Sequence, residues 1–522
     1  MVNMRRAALV VAAMLAVSSC GERLVYEAST DPTIVDNSPV TTVAIDTNLD
    51  DDPAPDADSG TNVIAWGECD TSSMSATSSG TLECGRLTVP FDYDDTSAGT
   101  FSLFLTRRLA DGPSERIGSM LVNPGGPGFG GSDVAASAEW YFSAQLTDRF
   151  DIVGWDPRGT GESTPAVDCT EDYDRFFGID SPPNDAAAKQ RMIDLTQEFV
   201  DLCVENNGEM LKYISTEASA RDMDSIRRAL GEDSITYFGF SYGSELGATW
   251  VTMFPDTVRA AVFDGASDPN ANGFDQAVAQ LKGFEQQLSA FLADCAKRST
   301  CKIYNDGDPA ALFDQLVIDI DKNPIQVSSD RTPVTQGVFY TAVVQAMYSN
   351  TLWPQLETAL ANAVNGNGAQ LLALYDDYYQ RKFDGSYGNE LEAFLAISCL
   401  DDPEGSTIAD VDADIPKFAA AAKRLGENFG YGYACALWPY RVESRVEVTG
   451  TGAGPIVVIG TTGDAATPLA STRKAAKNLE GGVLVIVEAD RHTGYGLNIC
   501  VVTTVDAYLI SLTVPENETY CK

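Results

Sequence analysis

The sequence predicts an α/β protein: a mostly parallel central sheet with helices on both faces, interrupted by an inserted, mainly helical cap. Three observations predict it. Strand-like and helix-like patterns alternate from about residue 101 to 267, the order of a parallel sheet with crossover helices. From about Asp268 to Arg445 the chain turns amphipathic and helical, as in FDQAVAQLKGFEQQLSAFLADCAK, with few convincing strands. Alternation resumes with PIVVIG (455–460) and GVLVIVEA (482–489), so the insertion falls before the last two strands of the sheet. A cap there covers the carboxyl edge, where sheets of this class bind ligands.

Each element has its own signature. SMLVNPGGPGFGGS is a short apolar run that breaks into a Gly/Pro loop, and FDIVGWDPRGTGES repeats that form. SARDMDSIRRALG is helical, with Met223, Ile226 and Leu230 on one face, arginines in the last turn, and Gly231 to end it. SITYFGF is a buried strand. GSELGATWVTMF places Leu246, Trp250, Met253 and Phe254 on one helical face before Pro255 stops it, and AAVFDGA is the next strand. The core thus divides into 63–267 and 446–522, with the cap at 268–445.

The first residues read differently. Met1-Val-Asn-Met-Arg-Arg precedes an apolar run from Ala7 to Val17 and then Ser18-Ser19-Cys20, the form of a secretory signal (1–20) too short to span a bilayer. Small residues before Cys20 resemble a bacterial lipobox, which implies acylation of that cysteine and a lipid anchor at the cell surface or envelope. Residues 21–62 hold ten acids against Arg23 and little apolar surface, a composition that cannot offset chain entropy; a disordered acidic tether is expected. The net charge is −40, so nucleic acid and anionic lipid surfaces are poor partners, and the membrane is met only through the anchor.

Beyond Cys20 there are ten cysteines: Cys69, Cys84, Cys169, Cys203, Cys295, Cys301, Cys399, Cys435, Cys500 and Cys521. An even number in an exported chain suggests five disulfides, and pairing in chain order closes the shortest loops. None of the C-x-x-C spacings of a zinc site occurs, and neither metal nor cofactor is expected.

Gly239-Phe240-Ser241-Tyr242-Gly243 matches G-x-S-x-G at the point where a buried strand gives way to a helix. That turn demands small neighbours and holds a serine hydroxyl out over the sheet edge, the nucleophile elbow of α/β-hydrolases. A serine needs a base, and His492 is the one histidine of the 522 residues. It follows the strand VLVIVEA, in the chain order Ser, acid, His. Asp464 follows the preceding strand and is the expected orienting acid, with Asp490 the alternative. For the oxyanion hole, Tyr242 supplies one backbone N–H and the Asn123–Gly128 loop the other, from Gly126 or its neighbour Gly125. Arg158 in DPRGTGES is expected to brace nearby carbonyls or carboxylates.

NPGGPG, GWDPRGTGES, ARDMDSIRRALG, YFGFSYGSELGATWVTMFPDTVRAAVFDGASDP, GTTGDAATP and RHTGYG together resemble the secreted branch of the proline iminopeptidase and tripeptidyl aminopeptidase family of α/β-hydrolases. The likeness spans most of residues 63–522. It implies an α/β-hydrolase fold and a serine exopeptidase that releases short N-terminal peptides from substrates with a free N-terminus, with Ser241 as nucleophile, Asp464 as acid and His492 as base. Pro124 stands where the iminopeptidases carry the histidine of HGGPG. Their amine-binding acids lie in the cap, where this chain offers Glu285, Glu357, Glu390, Glu392, Asp401 and Asp402; Asp401, in SCLDDP, is the first choice. A carboxylesterase using the same triad is the alternative. A solute-binding lipoprotein is a second, against which the elbow argues.

Overall fold

The computed structural model describes residues 63–70 and 78–522; the signal, Cys20 and the whole tether (21–62) lie outside the described residues. Ten strands form one sheet: β1 (Gly67–Glu68), β2 (Leu82–Pro90), β3 (Thr100–Arg108), β4 (Gly118–Asn123), β5 (Phe150–Trp155), β6 (Ile235–Phe240), β7 (Val258–Asp264), β8 (Ile456–Thr461), β9 (Gly482–Val487) and β10 (Thr519–Cys521). Their order is β1-β2-β3-β5-β4-β6-β7-β8-β9-β10. From β5 across to β10 all pairs are parallel, whereas β1 to β3 form an antiparallel edge that β3 joins to β5.

The central strands read as unbroken apolar runs because both of their faces are covered. Alternate residues go to opposite sides. Leu121, Val153, Tyr237, Ala261 and Val458 enter one core cluster, which the helices Thr216–Leu230 and Tyr242–Met253 close with Met223, Ile226, Leu246 and Trp250. Met120, Val122, Ile152, Phe238, Val262 and Ile459 enter the other, against Val501, Val505 and Leu509 of the helix Ile499–Ser511. The helix Thr216–Leu230 begins earlier than the sequence pattern suggests: the Ser215 hydroxyl caps it by accepting from Ala218 N–H, and Gly231 ends it at φ 74°.

Among the described residues no strand of the sheet lies between β7 and β8. Most of the helices there, from Gly273–Lys297 onward, bury a core of their own built on residues such as Phe284, Phe291, Phe339 and Leu360, whereas Glu390–Leu400 packs Ala393, Ala396 and Ile397 into the first core cluster of the sheet. Ala465 and Ala466, directly after Asp464, are part of that cluster, so the cap's core reaches the loop that follows β8.

Disulfides join Cys69–Cys84, Cys169–Cys203, Cys295–Cys301, Cys399–Cys435 and Cys500–Cys521. Two of them fasten strands that sequence pattern does not reveal. Cys84 sits opposite Gly67 in the β1–β2 ladder, and Cys521 ties the three-residue β10 to the helix Ile499–Ser511. Arg158 is fully buried and donates to Asp222 at 2.5 and 2.8 Å and to the carbonyls of Phe91 and Tyr213, a bracing role. No helix among the described residues is long and apolar enough to cross a membrane.

Candidate active site

β6 ends at Phe240 and the next helix starts at Tyr242, leaving Ser241 alone in the turn at φ 54°. A non-glycine residue rarely adopts that conformation, and here it is held by packing. The flanking glycines are required by close approach: a Cβ on Gly239 would lie 2.3 Å from the Gly243 carbonyl oxygen, and one on Gly243 2.6 Å from that of Asn123. Ser241 N–H donates to the Asp264 carbonyl on β7 at 2.8 Å.

The loop after β4 packs on this elbow. A Cβ on Gly125 would come within 2.9 Å of both Ser241 Cβ and Tyr242 N. Asn123 Oδ1 accepts the Gly125 N–H at 2.9 Å, so that donor is taken. The Gly126 and Tyr242 N–H groups make no hydrogen bond among the described residues.

Asp464 follows β8 and its side chain is fully buried. Its carboxylate accepts from Thr467 N–H at 2.8 Å, from Thr493 N–H at 3.3 Å, and from His492 Nδ1 at 2.9 Å to each oxygen. A ring nitrogen that close to two carboxylate oxygens carries the proton, which leaves Nε2 as the basic nitrogen of the neutral ring. Thr467 Oγ1 lies 3.3 Å from Nδ1. Burial pulls the imidazole's pKa down, but the charge and hydrogen bond of Asp464 outweigh it, Asp264 adds to them, and the ring titrates above the ordinary histidine range. The His492 side chain retains 13% of its exposure.

Ser241 and His492 meet across Asp264 and Gly265. Ser241 is bonded to the first, and a Cβ on the second would lie 3.0 Å from His492 Cε1. Among the described residues the hydrogen bonds of the imidazole run from Nδ1, to Asp464 and Thr467, and none joins Nε2 to Ser241 Oγ. Asp490 does not touch the ring; its side chain accepts from Gln287 of the cap at 3.4 Å.

The cap reaches the same loop. Tyr348 accepts the His492 backbone N–H at 2.8 Å, Asn350 N–H donates to the Asp490 carbonyl at 3.0 Å, and Ser349 forms a bridge with Arg491. The Tyr348 ring stands edge-on to the imidazole, centroids 5.7 Å apart.

Asp401 lies elsewhere. Its carboxylate accepts from Thr216 N–H and, at 2.5 Å, from Thr216 Oγ1, which also meets the Tyr242 hydroxyl; burial raises its pKa to about 6. The other cap acids are similarly committed: Glu285 to Arg424 and Leu425 N–H, Glu357 to Lys302 N–H and Arg298, Glu392 to Cys169 and Thr170 N–H, and Asp402 to Gly405 N–H. Glu390 differs, because its Oε2 is buried with no partner among the described residues. Its helix, Glu390–Leu400, abuts the glycine loop: a Cβ on Gly128 would lie 2.4 Å from the Glu390 carbonyl oxygen.

Sequence reasoning missed Thr467, Tyr348 and Asp264. Asp264 did carry a signal, as an acid ending the apolar strand AAVFD at the sheet's carboxyl edge.

Comparisons with known proteins identify the family of the fold. Residues 118–495 match the family model described as the alpha/beta hydrolase fold. The chain is 35% identical over 480 residues to the serine protease Hip1 of Mycobacterium tuberculosis, covering 88% of this chain and 91% of the relative. It is 33% identical over 497 residues to carboxylesterase B of the same species, covering 90% and 93%. It is 30% identical over 457 residues to the tripeptidyl aminopeptidase of Streptomyces lividans, covering 82% of each chain. On the fold, the strand-to-helix serine and these relatives, the chain is a hydrolase and belongs to the α/β-hydrolase family, in the branch that holds serine proteases, tripeptidyl aminopeptidases and carboxylesterases.

Proposed function

We propose that the protein is a cell-surface serine exopeptidase that releases short, tripeptide-type segments from the free N-terminus of peptides. The observation that carries the reading is His492 Nδ1 fixed by a buried Asp464, with Ser241 presented one strand away by a positive-φ elbow. Ser241 Oγ attacks the scissile carbonyl as Nε2 takes its proton, and the Gly126 and Tyr242 N–H groups stabilise the oxyanion. Collapse expels the amine, which takes the proton from the imidazolium. Water, deprotonated by the same nitrogen, then hydrolyses the acyl-enzyme and frees Ser241.

The tripeptide preference draws on the relatives' names and on the cap. Glu390, whose side-chain Oε2 is buried without a partner among the described residues and whose helix abuts the glycine loop through its backbone, suits an ammonium group better than Asp401, whose carboxylate is spent on Thr216. Burial raises the Glu390 pKa, and a bound ammonium would draw it down again by favouring the charged form. In this reading residues 1–20 are removed as a lipoprotein signal, acylated Cys20 anchors the chain, 21–62 is the tether, 268–445 the cap, and 63–267 with 446–522 the core.

The test treats the body from residue 63 with a fluorophosphonate and maps the adduct by mass spectrometry. Without an adduct at Ser241 the mechanism fails. Tripeptide anilides with free and blocked amines are then compared with short acyl esters. The relative named carboxylesterase B supports the second reading, and faster turnover of esters or blocked peptides would decide for it.

A further inference from the structure

We propose that Asp264, the last residue of β7, is a positioning residue that locks the nucleophile and base to each other and adds a second negative charge behind the imidazole; this rests on the triad mechanism proposed above. The geometry is specific. Asp264 is fully buried. Its backbone carbonyl accepts the Ser241 N–H at 2.8 Å, so it holds the nucleophile. Its carboxylate accepts Gly494 N–H on Oδ1 and Tyr495 N–H on Oδ2, both at 2.8 Å, so it also holds the loop two residues past the base.

A strand end could meet those two N–H groups with a neutral acceptor such as an amide oxygen and a water. A carboxylate, taken out of water, is a costly choice for a task of anchoring alone. Its use is explained if the charge is needed when His492 becomes an imidazolium. Around the ring, Asp464 from the loop after β8 and Asp264 from β7 favour its charged form, while Arg491 on its own loop opposes it. The cap contributes Tyr348, whose buried hydroxyl stays protonated at neutral pH. Asp264 pays for its burial with a pKa raised to about 6, against which the two N–H bonds and His492 act. Above that value the site holds two carboxylates around one imidazole. The charge would stabilise the imidazolium of both proton-transfer steps without touching substrate.

A single histidine makes the test direct, because protein labelled with 13C and 15N in histidine gives the signal of His492 and no other. Wild type, Asp264→Asn and Asp464→Asn are titrated by NMR, and kcat and KM are measured across pH on an acyl ester and a tripeptide anilide. For Asp264→Asn we expect a lower His492 pKa, an acid limb of kcat/KM displaced to lower pH by the same amount, kcat reduced up to about a hundredfold, and KM little changed. A variant that is slower but whose His492 titration and acid limb stay at wild-type pH would overturn the proposal, since that is the signature of plain fold support. If Asp264→Asn does not fold, Asp264→Glu decides: it keeps the charge, so His492 must titrate near its wild-type pH, and a titration displaced to lower pH rejects the idea. Failure of the underlying mechanism looks different, as an absent Ser241 adduct whatever His492 does.

Discussion

At the residue scale, the site depends on one imidazole whose far nitrogen is committed. His492→Gln should abolish turnover with the circular dichroism of the folded protein unchanged, and an active variant would refute the mechanism. Asp464→Asn should lower kcat by about 10⁴-fold by reversing the tautomer, as stopped or steady-state assays on an ester will read. Because the folded His492 pKa lies above the ordinary value and the base must be neutral, kcat/KM should fall as pH drops through that raised pKa, earlier than an unperturbed histidine would require. Glu390→Gln should raise KM for tripeptide anilides with a free amine about tenfold while sparing blocked ones; equal effects on both would remove Glu390 from amine binding. Ser241, Asp464 and His492 were legible in sequence because each follows an apolar strand. Asp401 was chosen from its neighbourhood in SCLDDP, and its commitment to Thr216, 185 residues away in the chain, has no local trace.

At the element scale, the histidine loop is held from two sides, by β7 through Asp264 and by the cap through Tyr348 and Asn350. Cap and histidine loop are therefore mechanically joined. Asn350 begins a short 3-10 turn, and Ser349 before it is extended at φ −155° and ψ 137°, the backbone that a following proline favours. Asn350→Pro deletes the bond to the Asp490 carbonyl and sets its ring against that oxygen, a loss of about 1–3 kcal/mol in stability. We expect kcat to drop several-fold more than that stability change would suggest; unchanged kcat would show that the cap does not steady the base. Long central strands and amphipathic helices were legible from their periods. The antiparallel edge and β10 were not, since β2 is half exposed and β10 is three residues long, and both owe their pairing to partners and disulfides.

At the scale of the whole molecule, charge and buried acids act in one direction. Burial keeps protons on Asp156, Asp264 and Asp401 to about pH 6 and on Glu392 to about pH 7, whereas the unfolded chain releases them near pH 4. The folded state thus binds more protons across that window, and stability falls as pH rises through it. His492, with its raised pKa, contributes in the same sense: its share is present at low pH and lost as pH rises through the folded value. Exposed Asp95, Asp384 and Asp410, lowered by local hydroxyl and backbone bonds, act only at lower pH. A net charge of −40 adds self-repulsion that grows as carboxylates ionise. Tm by calorimetry should therefore be higher at about pH 5.5 than at about pH 8, and added salt should raise it more at the higher pH. A Tm that climbs from pH 5.5 to 8 would contradict this.

The sequence by itself determined the class, the strand ends and the chain order of serine, acid and histidine, because apolar periodicity, turn residues and a lone histidine are local or countable properties. Only the tertiary structure decided which carboxylates hold the histidine and its loop, which cap acid keeps an oxygen without a partner among the described residues, and that the cap bonds to that loop. Those depend on residues hundreds of positions apart being brought within hydrogen-bond reach, where burial and partner charge set what each group can do.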